Sequence, residues 1–260
     1  MKLRPAFIAA LFSLALKSLV PTAVSAQTQS PTVAPPTPAM LSAPRPPAPP
    51  QDWPNLHRYR EANAALPAPS APDQRVVFMG DSITDNWGRG AATGPFFPGE
   101  PYINRGISGQ TTPQMLIRFQ QDVVHLKPTV VVINAGTNDI AGNTGPSTPE
   151  MIEDNLTSMT QIAQANAIHV VLSSITPAYD YPWHPKSFPT ATILAVNQWM
   201  QTFCTTHHCT YLDYYTPMAD PKGAMLPGYS SDGVHPLAKG YAVMAPLAEQ
   251  AIAAAKSMNP

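Results

Sequence analysis

The chain has 260 residues, 44% of them hydrophobic and 12% charged, and a formal net charge of −1. That balance leaves no basic footprint for nucleic acid or for an anionic lipid surface. No internal repeat is present, and two cysteines allow at most one disulfide.

Residues 1–26 read as an export signal. Lys2 and Arg4 lead an apolar run of 11 residues, Ala6–Leu16, and Val24-Ser25-Ala26 precede a cut at Gln27. The run is too short to span a bilayer. Lys17 breaks it early, which leaves an uncleaved anchor as the alternative. Cleavage removes three cations and no anions, so the net charge goes from −1 to −4. The expected location is secreted or periplasmic, with no stable membrane insertion after cleavage. Residues 27–54 follow as a linker, with ten prolines between 31 and 54. Proline fixes φ and lacks an N–H, so this stretch is expected to be an extended spacer without a core. A ligand for a proline-binding partner is the other reading. Residues 55–260 suffice for one domain.

In that domain Arg75-Val-Val-Phe-Met79 is expected to be a buried strand feeding a loop and then a helix. Tyr102-Ile-Asn104 is a shorter strand. Thr112 as N-cap and Pro113 at the first helical position open a helix whose apolar positions are Met115, Leu116, Phe119, Val123 and Leu126. Thr129–Ala135 is the strongest strand; it shows no alternation, so both faces should be buried. Thr148-Pro149 opens the next helix, with Ile152, Leu156, Met159 and Ile162 on its core face. His169–Ile175 is another buried strand, a helix is expected from about Thr190 to Thr205, Thr210–Asp213 is a last short strand, and Leu237–Lys256 is a closing helix. In an exported chain Cys204 and Cys209 are expected to pair. Two free buried thiols are the alternative. His207 and His208 between them are too few ligands to hold a metal.

Strands alternating with helices imply an α/β fold in three layers. The expected sheet has five parallel strands in the flavodoxin-like order 2-1-3-4-5, with helices on both faces. Ligands then bind beyond the carboxyl ends of the strands, and four segments fall there. Gly80-Asp81-Ser82-Ile83-Thr84 offers a hydroxyl and Asn104-Arg105-Gly106-Ile107-Ser108-Gly109 a glycine N–H. Gly136-Thr137-Asn138-Asp139 offers an amide, and Asp232-Gly233-Val234-His235 an imidazole with a carboxylate three residues before it. Acyl transfer needs these parts: a nucleophile, a base, an orienting group and donors for an oxyanion. Each also has a plain structural reading. Ser82, Asp81 or Asp232 can cap a helix, Gly109 or Gly106 can serve a turn, and Asn138 can bond its own backbone. Asp81 and Asp139 are expected to organise their loops. The Gly-x-Ser-x-Gly elbow of another hydrolase fold does not occur.

The four segments, in this order, resemble those of the SGNH, or GDSL-type, hydrolases, over roughly residues 74–256. Asn104-Arg-Gly-Ile-Ser-Gly-Gln-Thr-Thr112 is similar to the branch related to platelet-activating-factor acetylhydrolases and bacterial carbohydrate acetylesterases. The resemblance implies a serine esterase without metal or other cofactor. Ser82 would be the nucleophile, His235 the base and Asp232 its orienter. The N–H groups of Ser82 and Gly109 and the amide of Asn138 would hold the oxyanion, Gly106 being the competing donor. No lid insertion separates the segments, which favours short acyl groups. The expected substrate is a small-molecule or polysaccharide ester, an O-acetyl ester of carbohydrate first. A lysophospholipase or thioesterase is the alternative, and a catalytically inactive carbohydrate-binding or scaffold protein is the remaining one. Tyr181 and Trp183, in the proline-rich loop Thr176–Pro189, are expected as exposed rings that stack on a sugar; a hydrophobic cluster under the loop is the plain alternative. Trp87 and Phe96-Phe97 pose the same choice. Oligomeric state is not legible.

Overall fold

Five short strands pair in parallel: β1 (Val76–Gly80), β2 (Tyr102–Gly106), β3 (Val130–Asn134), β4 (His169–Ser173) and β5 (Thr210–Leu212), in the order β2-β1-β3-β4-β5. The computed structural model describes residues 52–69 and 75–258. The signal reading of residues 1–26, and the linker reading up to residue 51, lie outside the described residues. Every residue of β1 and β3 is buried. Their runs do not alternate because helices cover both faces of the sheet.

One face packs against α3 (Thr112–Asp122), α5 (Pro149–Ala165) and α6 (Thr190–Thr206), around Val77, Met79, Val131, Ile133, Phe119 and Leu156. The other carries α8 (Ala238–Ser257), which lies across β3, β4 and β5. There Phe78 sits in an aromatic cluster with Trp87, Phe96, Phe97 and Tyr102, and Trp87 stacks on Tyr241 of α8 at 4.8 Å. The choice posed by Trp87 and Phe97 therefore resolves to core: both are buried.

Helix entrances follow the sequence with one shift. Thr148 caps α5, its hydroxyl accepting from Met151 N–H at 3.4 Å, a role worth about 1 kcal/mol. For α3 the cap is Thr111, not Thr112, and Gln114 Oε1 accepts from Thr111 N–H at 3.0 Å. Thr112 is displaced into the first turn because its own N–H and hydroxyl both go to Asp139. The short helices α1 (Arg60–Ala64), α2 (Ser82–Asn86), α4 (Thr137–Ile140) and α7 (Tyr215–Met218) complete the set. Of these, only α2 follows from the sequence reading; the others are single turns that carry little periodic signal.

Cys204 and Cys209 are disulfide-bonded and join the end of α6 to the start of β5. A loop this short constrains the unfolded chain by about 2 kcal/mol. The end of the expected linker is corrected by the structure: Asp52–Pro54 lie on the domain. Gln114 Nε2 donates to Trp53 O and Gln110 Nε2 to Pro54 O, each at 2.7 Å, and Gln121 Nε2 donates to Leu56 O at 2.6 Å. Three glutamine amides thus satisfy carbonyls that a free spacer would leave to water.

Candidate active site

β1, β2 and β3 end level with one another, Gly80 pairing with Gly106 on one side and Asn134 on the other. The loops that leave them are therefore neighbours, and Ile107 N–H donates to Gly80 O at 2.9 Å. Asp81 caps α2, accepting from Ile83 N–H at 2.9 Å. Ser82 is the first helical residue and is 8% exposed. From α8, the Tyr241 hydroxyl donates to Ile83 O at 2.7 Å. Underneath, Arg118 is wholly buried and donates to Gly80 O at 3.0 Å, to Gln110 Oε1 at 2.5 Å and to Asp122 at 3.2 Å. Asp81 is fully enclosed, and burial pushes its carboxyl up to about 7 against the opposing pull of Ile83 N–H and His235.

The loop after β2 is tied to α2 by Asp85, which accepts from Ser108 N–H at 3.1 Å and from its hydroxyl at 2.7 Å. Gly109 has φ +78°, a conformation that side chains disfavour. Gly106 has a different task. A Cβ there would lie 2.2 Å from Asp85 N, so strand and helix approach too closely for any other residue. Its N–H is already given to Asn104 Oδ1 at 2.9 Å. The N–H of Gly109 has no acceptor among the described residues, and neither has that of Ser82, at the open end of its helix.

Asn138 projects from α4 and is buried. Its Nδ2 donates to Gln110 O at 3.0 Å, and its Oδ1 accepts from Asn143 Nδ2 at 2.8 Å. With the carbonyl end and one N–H held, a single N–H of the amide is unspent. Asp139 secures the same turn by accepting from Thr112 N–H at 3.0 Å and from its hydroxyl at 2.6 Å. Asp81 and Asp139 both organise loops, as their positions imply.

The fourth segment is a loop. Asp232 Oδ1 accepts from Val234 N–H at 2.9 Å, His235 N–H at 2.8 Å and the Ser230 hydroxyl at 2.9 Å. Its Oδ2 meets His235 Nδ1 at 2.6 Å, and His235 Nε2 meets Ser82 Oγ at 2.8 Å. Burial works against the charge on Asp232, yet the bonds from His235, Val234 and Ser230 hold its carboxyl down at about 2. The structure thus brings Ser82, His235 and Asp232 into one chain of hydrogen bonds. An imidazole so placed can take a proton from the hydroxyl and return it to a leaving group.

Tyr181 departs from expectation. It is wholly buried, with its hydroxyl 2.9 Å from Thr137 Oγ1, so it cannot be a sugar platform. An aromatic ring with a polar tip also suits a core where the tip finds a partner. Trp183 is 43% exposed and stacks on Tyr181 at 5.1 Å. Its ring centroid lies 5.9 Å from that of His235. Sequence reading missed Asn143. Its backbone N–H donates to Asn138 O at 3.0 Å, its Nδ2 also to Gly109 O at 3.2 Å, and its Oδ1 accepts from Trp183 Nε1 at 3.0 Å. One side chain therefore joins the loops of Gly109, Asn138 and Trp183. No local signal marks it, because its partners come from three distant stretches.

A family model described as GDSL-like lipase/acylhydrolase matches residues 78–243. Among solved structures, the chain is similar to one from Bacteroides fragilis assigned as an acylhydrolase: 42% identity over 79% of this chain and 99% of that one, with a TM-score of 0.76. A GDSL-like lipase from Bacteroides thetaiotaomicron also shares 42% identity, over 78% and 98% of the two chains, with a TM-score of 0.73. A mutant of an acetyl-xylooligosaccharide esterase from Geobacillus shares the fold at 20% identity, over 69% and 94%, with a TM-score of 0.54. A search of curated proteins gave no match.

Proposed function

The chain belongs to the GDSL-like lipase/acylhydrolase family, and on that premise we propose that it is an exported serine esterase of short acyl groups, acting on O-acetyl esters of carbohydrate. The observation that carries the chemistry is the continuous chain from Asp232 through His235 to Ser82. Ser82 Oγ adds to the ester carbonyl carbon while His235 Nε2 takes its proton. The oxyanion meets the unspent N–H groups of Ser82 and Gly109 and the remaining N–H of Asn138. The intermediate collapses, the bond from carbon to the leaving oxygen breaks, and His235 protonates that oxygen. Water then adds to the acyl-serine by the same route and releases the acid. Asp232 stays ionised throughout and steadies the imidazolium. Asn143 acts at one remove: it fixes the Asn138 amide and the Gly109 peptide in register.

Support for a short acyl group comes from the segments that leave the strand ends beside Ser82: among the described residues they carry only helices of four or five residues, Ser82–Asn86, Thr137–Ile140 and Tyr215–Met218, and no longer helix is inserted there as a lid. Support for carbohydrate comes from the half-exposed Trp183 ring beside His235 and from the fold shared with an acetyl-xylooligosaccharide esterase. A series of p-nitrophenyl esters tests the first point. kcat/KM should fall about tenfold or more from acetyl to octanoyl, since each misfitting methylene is worth about 1–3 kcal/mol. A profile rising toward octanoyl would move the assignment to a lipid esterase. Export is tested by the N-terminus of the protein recovered outside the cytoplasm, expected at Gln27.

A further inference from the structure

Next to the catalytic groups lies an open cleft of about 560 Å³. One wall is the segment Asp52–Asn55, the other the loop Ile107–Gln110, with Asn143 and Thr144 at one end. We propose that this cleft is a glycan subsite that seats a neutral sugar unit of the acetylated substrate, with Trp53 as its stacking surface and the Asn55 amide as a partner for sugar hydroxyls. The inference rests on the carbohydrate-ester reading and extends it to a place and to residues.

Four observations carry it. The cleft shares Gly109 and Asn143 with the catalytic arrangement, so a ligand seated there lies beside the loop that carries one of the oxyanion donors. Its outer wall is held in place, because the carbonyls of Trp53 and Pro54 are bound by Gln114 and Gln110. Asn55 lines the cleft, and its side-chain amide makes no hydrogen bond among the described residues, which leaves its N–H donors for a ligand. Finally, the lining selects the class of ligand. Its only charged side chain is Asp52, which hydrogen bonds from His57 N–H and Leu56 N–H hold below the usual carboxylate range, and no Lys or Arg lines the cleft. That repels a phosphate headgroup or an acidic sugar. Ile107 is the one aliphatic side chain, too little for an acyl tail. An indole face among neutral amides and hydroxyls suits a pyranose or furanose ring.

The test uses the full chain and two substrates, p-nitrophenyl acetate and an acetylated xylo-oligosaccharide. Trp53→Ala should raise KM for the oligosaccharide about tenfold, and Asn55→Ala about threefold, with p-nitrophenyl acetate turnover within about twofold of the parent, the pattern of lost binding away from the reacting carbon. Trp53→Phe keeps a ring and should stay within about threefold of the parent. An oligosaccharide KM unchanged in both alanine variants overturns the subsite while leaving the esterase reading intact. A parallel fall on both substrates in Trp53→Ala and Trp53→Phe alike overturns it too, because the segment is then only structural. If the parent hydrolyses p-nitrophenyl acetate but not the acetylated oligosaccharide, the carbohydrate reading fails and the subsite fails with it.

Discussion

Ser82 and His235 approach to 2.8 Å but are held by opposite means. On the serine side, beyond the Asp81 cap, the supports come from remote parts of the chain and are mostly buried. Arg118 grips Gly80 O from α3, Tyr241 grips Ile83 O from α8, and Asp85 ties α2 to the loop of Gly109. On the histidine side the supports are local. Asp232 collects N–H and O–H donors from Ser230, Val234 and His235 within its own loop, and its side chain is 38% exposed. The position of the proposed nucleophile is therefore a property of much of the fold, and that of the proposed base a property of a few consecutive residues. Damage to the serine side should spread into stability, and damage to the histidine side should stay in the chemistry.

The largest effect tests the shared centre. Ser82→Ala should lower kcat on the order of 10⁴-fold or more, and His235→Ala nearly as much. Their double mutant should lose little further, and Asp232→Asn should be milder than either. Both single variants should melt within about 2 °C of the parent, because no buried apolar packing is lost. Near-parental turnover by Ser82→Ala would end the assignment.

Arg118→Ala sharpens the contrast. Leaving Asp122 buried without its partner should cost about 3–5 kcal/mol in urea unfolding. Ser230→Ala, which removes one exposed donor to Asp232, should cost no more than about 1 kcal/mol. Equal losses would abolish the distinction between the two sides.

A smaller effect separates direct donors from the residue that places them. Asn138→Ala should lower kcat on the order of a hundredfold. Asn143→Ala should lower kcat about tenfold with KM unchanged, and weaken a boronic-acid analogue of the tetrahedral intermediate in parallel. If KM rises while kcat holds, Asn143 contacts substrate instead.

The last effect is read against pH and is zero at the acid end of the range. Burial raises the Asp81 carboxyl to about 7, so the folded state retains a proton that the unfolded chain loses near 4. The stability this contributes is complete below about pH 4 and is lost as pH rises toward 7. Asn at this position cannot ionise. Asp81→Asn should therefore gain on the parent between these limits, by at most about 1.4 kcal/mol per pH unit. Parallel stability curves for the two proteins would show that Asp81 is ionised in the fold without penalty.

The parts of the fold and site that were legible depend on residue type and short spacing. The parallel α/β class follows from strand-like runs that alternate with helical ones, and the order 2-1-3-4-5 is the flavodoxin-like form expected for it. Ser82, Gly109, Asn138, Asp232 and His235 stand out because the four segments that hold them occur together in the order that the GDSL-type resemblance requires, each with a residue type suited to its chemistry. What escaped depends on which loop meets which. Arg118 looks like a solvated position on a helix; its burial follows only from the packing of α3 under Gly80. Tyr181 and Trp183 are two residues apart, yet one is core and the other half-exposed, since Thr137 offers a partner for the tyrosine hydroxyl alone. Trp53 sits at the end of a proline-rich stretch, and nothing local shows that glutamines of α3 fasten its carbonyl.

The nearness of the Trp183 and His235 rings has an optical consequence. In the mechanism proposed above each cycle turns His235 into a cation, and a cation beside an indole interacts with its π face. An imidazolium is also an efficient quencher of indole emission. Trp183 fluorescence should then dim whenever His235 carries a proton and recover when it does not. Trp53, Trp87 and Trp199 supply the background, which Trp183→Phe measures by itself. The protein contains its own light-emitting gauge of the protonation state of its base, readable in Ser82→Ala, where no turnover confuses the signal.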